Sequence, residues 1–322
     1  MKINQDIIMR LVATFRIVPS GWLNATFTDP LFKANINSMV TNCKVSNNLH
    51  FVKDKITGNF LSLTKKGYNN FESKYPIFWT FEPHYDNPSS NRSTSITSKR
   101  HTYLFFNFVF KYLVENPQPS VILTDYDEEC NLVVKNYSDQ HLILPDGMIR
   151  HSNADKHTNL LCFEGDTGSE KVKILFEKIF NYINFCIQNF NGEDITSVDL
   201  YFCFRTKQRA EIVFKKDNGL MWSNFDQGSS IRYEDSAKKI NLALTTNDLI
   251  NCLKNRKFRL FVGDQDCMIE QYKEIDILSS IIDNCPNTKK QIERILSGEF
   301  TTPDNIQIPT KNQQEEEKSF EF

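Results

Sequence analysis

The chain has 322 residues, 40% hydrophobic and 24% charged, with a formal net charge of −2. This ordinary globular composition excludes collagen-like, low-complexity and wholly disordered readings, and the length suggests about two domains. No run approaches the roughly 18 apolar residues that cross a bilayer, and Met1-Lys2-Ile3-Asn4-Gln5-Asp6 lacks the basic-then-apolar start of a signal peptide, so a cytoplasmic protein without membrane insertion is expected.

The near-neutral total divides unevenly. Residues 1–75 carry ten Lys or Arg against four acids, a net +6, which leaves −8 on the remainder. A basic head of this kind suits a polyanionic partner, and the acidic body is a place to gather carboxylates. Within the head, Ile7, Ile8, Leu11, Val12 and Phe15 recur at helical spacing and predict a helix over 4–15, closed by Pro19. A short helix over 20–25 follows. Asp29-Pro30 then supplies an N-cap and a first-turn proline for a helix running through Leu31, Ile36, Met39 and Val40 toward Cys43. Beyond it the period changes: Leu49, Phe51 and Val52, a turn at Thr57-Gly58-Asn59, then Phe60, Leu61 and Leu63 predict a β-hairpin. Leu63-Thr64-Lys65-Lys66-Gly67 opens a last short helix.

Three helices followed by a basic hairpin is the order of a winged helix, in which the third helix enters the DNA major groove and the hairpin touches phosphate. Lys33 and Lys44 on that helix, Lys53 and Lys55 near the wing, and Lys65 and Lys66 after it are the candidate DNA-binding residues of a domain over 1–82. Residues 83–99 are polar and turn-rich and read as a linker.

A second domain is expected over 100–300. His101–Glu115 is a dense aromatic helix ended by Asn116-Pro117. Val121-Ile122-Leu123 and Leu132-Val133-Val134 are strand-like, His141–Ile149 reads as one strand, and Asn159–Asp166 as another. A long helix over 170–190 and the apolar strand Val198–Phe204 complete a mixed α/β (α+β) domain. Alternation puts Glu164 and Asp166 on one strand face, and a hairpin centred near Asp155 would bring Asp146 opposite Glu164. Three carboxylates converging beside Leu160-Leu161-Cys162-Phe163 call for a hard cation, so Asp146, Glu164 and Asp166 are the candidate metal ligands and Mg²⁺ or Mn²⁺ the expected cofactor. A metal-activated water attacking phosphorus is the matching chemistry. Lys178, one turn before Tyr182 on the following helix, is placed to steady charge on the attacked phosphate. Glu170 and Lys171 read as solvated first-turn charges, and Glu128 or Glu129 as a further possible ligand.

The order helix, three strands, helix, strand, with Pro145-Asp146 at the second strand and Glu164-Gly165-Asp166 at the third, resembles the core of PD-(D/E)xK restriction-endonuclease-like nucleases. Together with the winged-helix order, the segments Leu144-Pro145-Asp146-Gly147, Phe163–Glu170 and Lys178-Ile179-Phe180-Asn181-Tyr182 resemble the replication-relaxation family of plasmid and conjugative-element proteins over about residues 1–205. That resemblance implies a relaxase or endonuclease that nicks DNA at an origin of transfer or replication during plasmid mobilisation. Asp146, Glu164 and Asp166 would hold the metal, and Lys178 would stand in for a lysine moved onto the helix. The third-strand motif usually ends in Lys, and Asp166 occupies that position. The alternative is a non-catalytic DNA-binding initiator or transcriptional regulator with a degenerate nuclease fold. The six histidines form no His-x-His pair, which argues against the tyrosine-and-histidine-cluster relaxases.

Farther on, Glu211-Ile212-Val213-Phe214 and Phe258–Val262 read as strands, 246–254 and 268–297 as helical, and Arg205, Lys207 and Arg209 as possible DNA contacts. Trp222 reads as a packing anchor. The eight cysteines include no Cys-x-x-Cys pair and read as buried thiols. Residues 301–322 turn polar and acidic, a disordered tail whose Phe320-Glu321-Phe322 could dock a coupling or replication protein.

Overall fold

A computed structural model of the chain describes residues 4–54, 58–74, 100–116, 120–125, 127, 130–135, 140–152, 158–189, 195–214, 230–233, 242–284, 289–290, 293 and 297. The expected linker and tail, together with Lys55, Glu128, Glu129, Trp222 and Cys285, lie outside these residues.

In the head, α1 (Gln5–Phe15) starts at Asn4, whose side chain accepts from Ile7 N at 3.0 Å. β1 (Val18–Pro19) and α2 (Ser20–Ala25) lead to α3 (Pro30–Val45), whose N-cap Asp29 accepts from Leu31 N at 2.7 Å. β2 (Leu49–Asp54) and β3 (Gly58–Leu63) form an antiparallel hairpin, β1 joins the other side of β3, and α4 (Lys65–Lys74) follows. Helix, strand, two helices and a hairpin in this pairing make a winged helix. Its β1 has two residues, too few to leave a periodic trace in the sequence.

The body is a mixed α/β arrangement. α5 (Arg100–Glu115) precedes β4 (Val121–Thr124), β5 (Leu132–Lys135), β6 (Gln140–Ile143), β7 (Gly147–Ser152) and β8 (Thr158–Asp166). α6 (Val172–Asn189), β9 (Ile195–Phe204), α7 (Lys207–Val213), β10 (Ser230–Tyr233) and β11 (Leu242–Thr245) come next. The described chain continues through α8 (Thr246–Lys254), β12 (Phe258–Asp264), β13 (Lys273–Ile275) and α9 (Ile277–Asn284). Six strands make one sheet in the order β4-β7-β8-β9-β12-β13. The pairs β4/β7 and β7/β8 are antiparallel, β8/β9 and β9/β12 parallel, and β12/β13 antiparallel. The parallel step from β8 to β9 needs a crossover, which α6 supplies.

Three sequence expectations change. His141–Ile149 is two strands, because Pro145 lacks the N–H a continuous ladder requires: β6 pairs with β5 in a separate hairpin, and Pro145-Asp146 precedes β7. Glu211–Val213 is helical, since the Thr206 hydroxyl caps α7 by accepting from Arg209 N at 3.2 Å, and this local start signal overrides the β-branched run. The helix expected over 268–297 gives way to a 3₁₀ turn at Ile269–Gln271, then β13, then α9. Pairing of Lys273 with Val262 and Ile275 with Leu260 settles that segment in favour of the sheet edge.

Alternation along β8 separates two cores. Leu160 and Cys162 join Leu175, Ile179 and Ile183 of α6, while Leu161 and Phe163 join Phe105, Phe108 and Val109 of α5. The second cluster also contains Ile8, Leu11, Val12 and Phe15 of α1, so the winged helix and the sheet share one apolar interior across α5. Phe15 meets Phe105 and Phe106 at 5.7 and 5.2 Å between ring centroids, Trp22 meets Tyr103 at 5.3 Å, and Phe27 meets Phe110 at 5.1 Å. An ion pair of 2.9 Å between Arg16 and Asp127 reinforces the contact. The seven described cysteines are unpaired thiols, as expected, and all but Cys267 are buried. No helix among the described residues is long and apolar enough to cross a membrane.

Candidate active site

The carboxylates meet where β7 begins and β8 ends. The register pairs Gly147 with Phe163 and Ser152 with Thr158, which puts Asp146 opposite Glu164 as the spacing predicts. Asp146 N donates to Phe163 O at 3.1 Å, and Asp146 Oδ2 accepts from Gly165 N at 2.8 Å. Gly147 is required here by close approach, since a Cβ at that position would lie 2.1 Å from the Phe105 ring. From the α5 side His101 brings Nδ1 to 3.4 Å from Asp146 Oδ2, and the Asp146 carboxylate raises the imidazole pKa.

Glu164 faces α6. Lys178 and Tyr182 stand one helical turn apart on that helix, and both reach the same carboxylate: Lys178 Nζ donates to Oε2 at 2.9 Å and Tyr182 OH to Oε1 at 2.8 Å. Burial pushes the Glu164 pKa up to about 7 despite the opposing charge of Lys178. The same burial works against the Lys178 ammonium, but the charges of Glu164, Asp146 and Glu170 outweigh it and raise its pKa above the ordinary lysine value. Asp146, Glu164 and Lys178 thus form one electrostatic group at the sheet end.

Asp166 shares the strand face of Glu164 but is satisfied elsewhere. It is fully buried, with Oδ2 accepting from Arg209 Nε at 2.8 Å and Oδ1 from Gly168 N at 2.8 Å. Gly168 makes this turn at φ +94°, which favours glycine. Arg209 is thus held at the sheet end, its Nε on Asp166 and its guanidinium on the Glu170 carbonyl. No cluster of three or more His, Cys, Asp or Glu side chains poised for a metal occurs among the described residues. Of the three expected ligands, only Asp146 and Glu164 are left to face each other at the sheet end, and a Mg²⁺ there would need waters for the rest of its shell. Placing a cation beside Glu164 would also offset the burial that raises its pKa.

Sequence reasoning missed two members of this group. His101 carried no signal beyond its place at a helix start. Glu170 looked like a solvated charge, yet its Oε1 accepts from Lys178 Nζ at 3.1 Å.

On the head, Lys44 and Lys65 are exposed and Lys33 is half-buried. Lys44 Nζ lies 3.2 Å from the centroid of the Phe51 ring and so ties α3 to the hairpin, on which Lys53 also lies. Lys66 Nζ donates to Ser46 O at 2.9 Å and satisfies a carbonyl at the end of α3. Asn35, Ser38 and Asn42 are exposed at helical spacing on α3, a row of uncharged donors and acceptors that the charge count overlooked. In comparisons with known proteins, no family model, no curated protein and no solved structure matches this chain.

Proposed function

We propose that the protein is a metal-dependent DNA-nicking relaxase or endonuclease of a plasmid or conjugative element, acting at an origin of transfer or replication. The observation that carries this reading is the convergence of Asp146, Glu164 and Lys178 at one sheet end, with a winged helix packed on the same α5. Asn35, Ser38 and Asn42 would meet base edges, while Lys44 and Lys65 neutralise phosphate. Asp146 and Glu164 are the residues that would hold Mg²⁺ or Mn²⁺, and the cation would supply Lewis-acid activation of water and of a phosphate oxygen. Asp146 is kept in place by the Gly165 N–H and Glu164 by the Tyr182 hydroxyl. Lys178 holds a positive charge where negative charge develops on the attacked phosphate.

Two observations favour a second reading, a non-catalytic DNA-binding initiator or regulator. Both Glu164 oxygens already have donors, and Asp166 stands in the usual lysine position paired with Arg209. Nicking of supercoiled DNA bearing the element's own origin, with Mg²⁺ or Mn²⁺, separates the two. The nuclease reading expects open-circular product from wild type and a loss of about a hundredfold or more in Glu164→Ala and Asp146→Ala. Origin binding without nicking in wild type supports the second reading instead.

A further inference from the structure

We propose that Glu170 is a positioning residue of the sheet-end site, a second carboxylate that keeps the Lys178 ammonium in place when its bond to Glu164 is lost. Its purpose rests on the nuclease reading above; its geometry does not. Lys178 Nζ sits between two acids, 2.9 Å from Glu164 Oε2 and 3.1 Å from Glu170 Oε1. Glu170 is not a loose surface charge, because its backbone carbonyl accepts from the Arg209 guanidinium, which buried Asp166 anchors in turn. The chain between them is fixed by the Gly168 turn, whose N–H binds Asp166. The remaining Glu170 oxygen, Oε2, is buried with no hydrogen-bond partner among the described residues.

These facts give Glu170 the capacity to take over. An ammonium has three donors on a flexible four-carbon stem, and loss of its only carboxylate would let it swing toward water. With Glu170 present, Lys178 keeps one ion pair and can add a bond to Oε2 when its bond to Glu164 is lost. Binding a cation at Glu164 would demand that loss, and the catalytic charge would still remain at the sheet end. Sequence position alone hides this role, since residue 170 precedes the helix that carries Lys178.

The test uses the full chain with ¹³C at the lysine Cε, the Lys178 resonance being assigned by its absence in Lys178→Arg. Glu164→Gln removes one of the two carboxylates at Lys178 without any metal or DNA. The expected result is that Lys178 stays ordered in Glu164→Gln and becomes mobile in the Glu164→Gln/Glu170→Gln double variant, each with wild-type circular dichroism. A mobile Lys178 in Glu164→Gln alone, or an ordered one in the double variant, overturns the proposal. In the nicking assay Glu170→Gln should lower kcat about tenfold with KM unchanged, and should cost nothing further in a Lys178→Met background. Full kcat in Glu170→Gln, or an additive loss with Lys178→Met, also overturns it. If wild type does not nick but the resonances behave as expected, the nuclease reading falls and the role of Glu170 in holding Lys178 stands.

Discussion

On the winged helix Lys44 and Lys65 are exposed, with Lys44 over the Phe51 ring, whereas at the end of the six-stranded sheet Lys178 and Arg209 are held among carboxylates. The same residue types therefore answer to different physics in the two regions. An exposed lysine contributes little to folding and acts through its long-range field, which salt screens. A cation paired with a buried acid is coupled to the fold, because removing it strands the acid away from water.

Arg209→Ala should break this contrast most severely. Asp166 is fully buried and would lose its cationic partner, so a destabilisation of about 3–5 kcal/mol is expected in urea unfolding. Next comes pH. The Glu164 pKa is raised from the unfolded value to about 7, so its contribution to stability is complete below about pH 4 and is lost as pH rises through 7. Glu164→Gln removes that titration. Unfolding series from pH 4.5 to 8 should therefore show the variant gaining on wild type with rising pH, by on the order of a few kcal/mol. Gly147→Ala forces a methyl into the Phe105 ring and should cost about 1–3 kcal/mol, read as a lowered Tm. The smallest effect belongs to the head: Lys44→Ala should change stability by less than about 0.5 kcal/mol. If α3 binds DNA, that substitution weakens binding across sequences and reduces the salt slope by about one, as measured by fluorescence anisotropy at several salt concentrations.

The sequence was most legible where local rules and tertiary pairing agree. Asp29 caps α3 through its side-chain oxygen, as the Asp-Pro pair predicts, and the 147/163 register follows from the centre of the hairpin. Residues 211–213 and 268–275 show the opposite, where a cap or an edge pairing defeated the local pattern. At the site, alternation correctly set Glu164 and Asp166 on one face but could not divide their partners. That division depends on Lys178 and Tyr182 coming from α6 and on Arg209 coming from α7, 43 residues beyond Asp166. Asp166 is thus partnered by an arginine that no short stretch of sequence around it contains.

The double-sided packing of α5 has a practical consequence for dissecting this chain. Phe106 and Phe110 are wholly buried, and their ring partners include Phe15, Trp22 and Phe27 of the head, while Phe108 on the same helix faces Phe163, Tyr201 and Tyr272 of the body. A fragment beginning near residue 100 would present that aromatic row to water and invite self-association. Expression as separate head and body fragments is therefore a poor route to assigning their roles, and point substitutions in the intact chain are the better instrument.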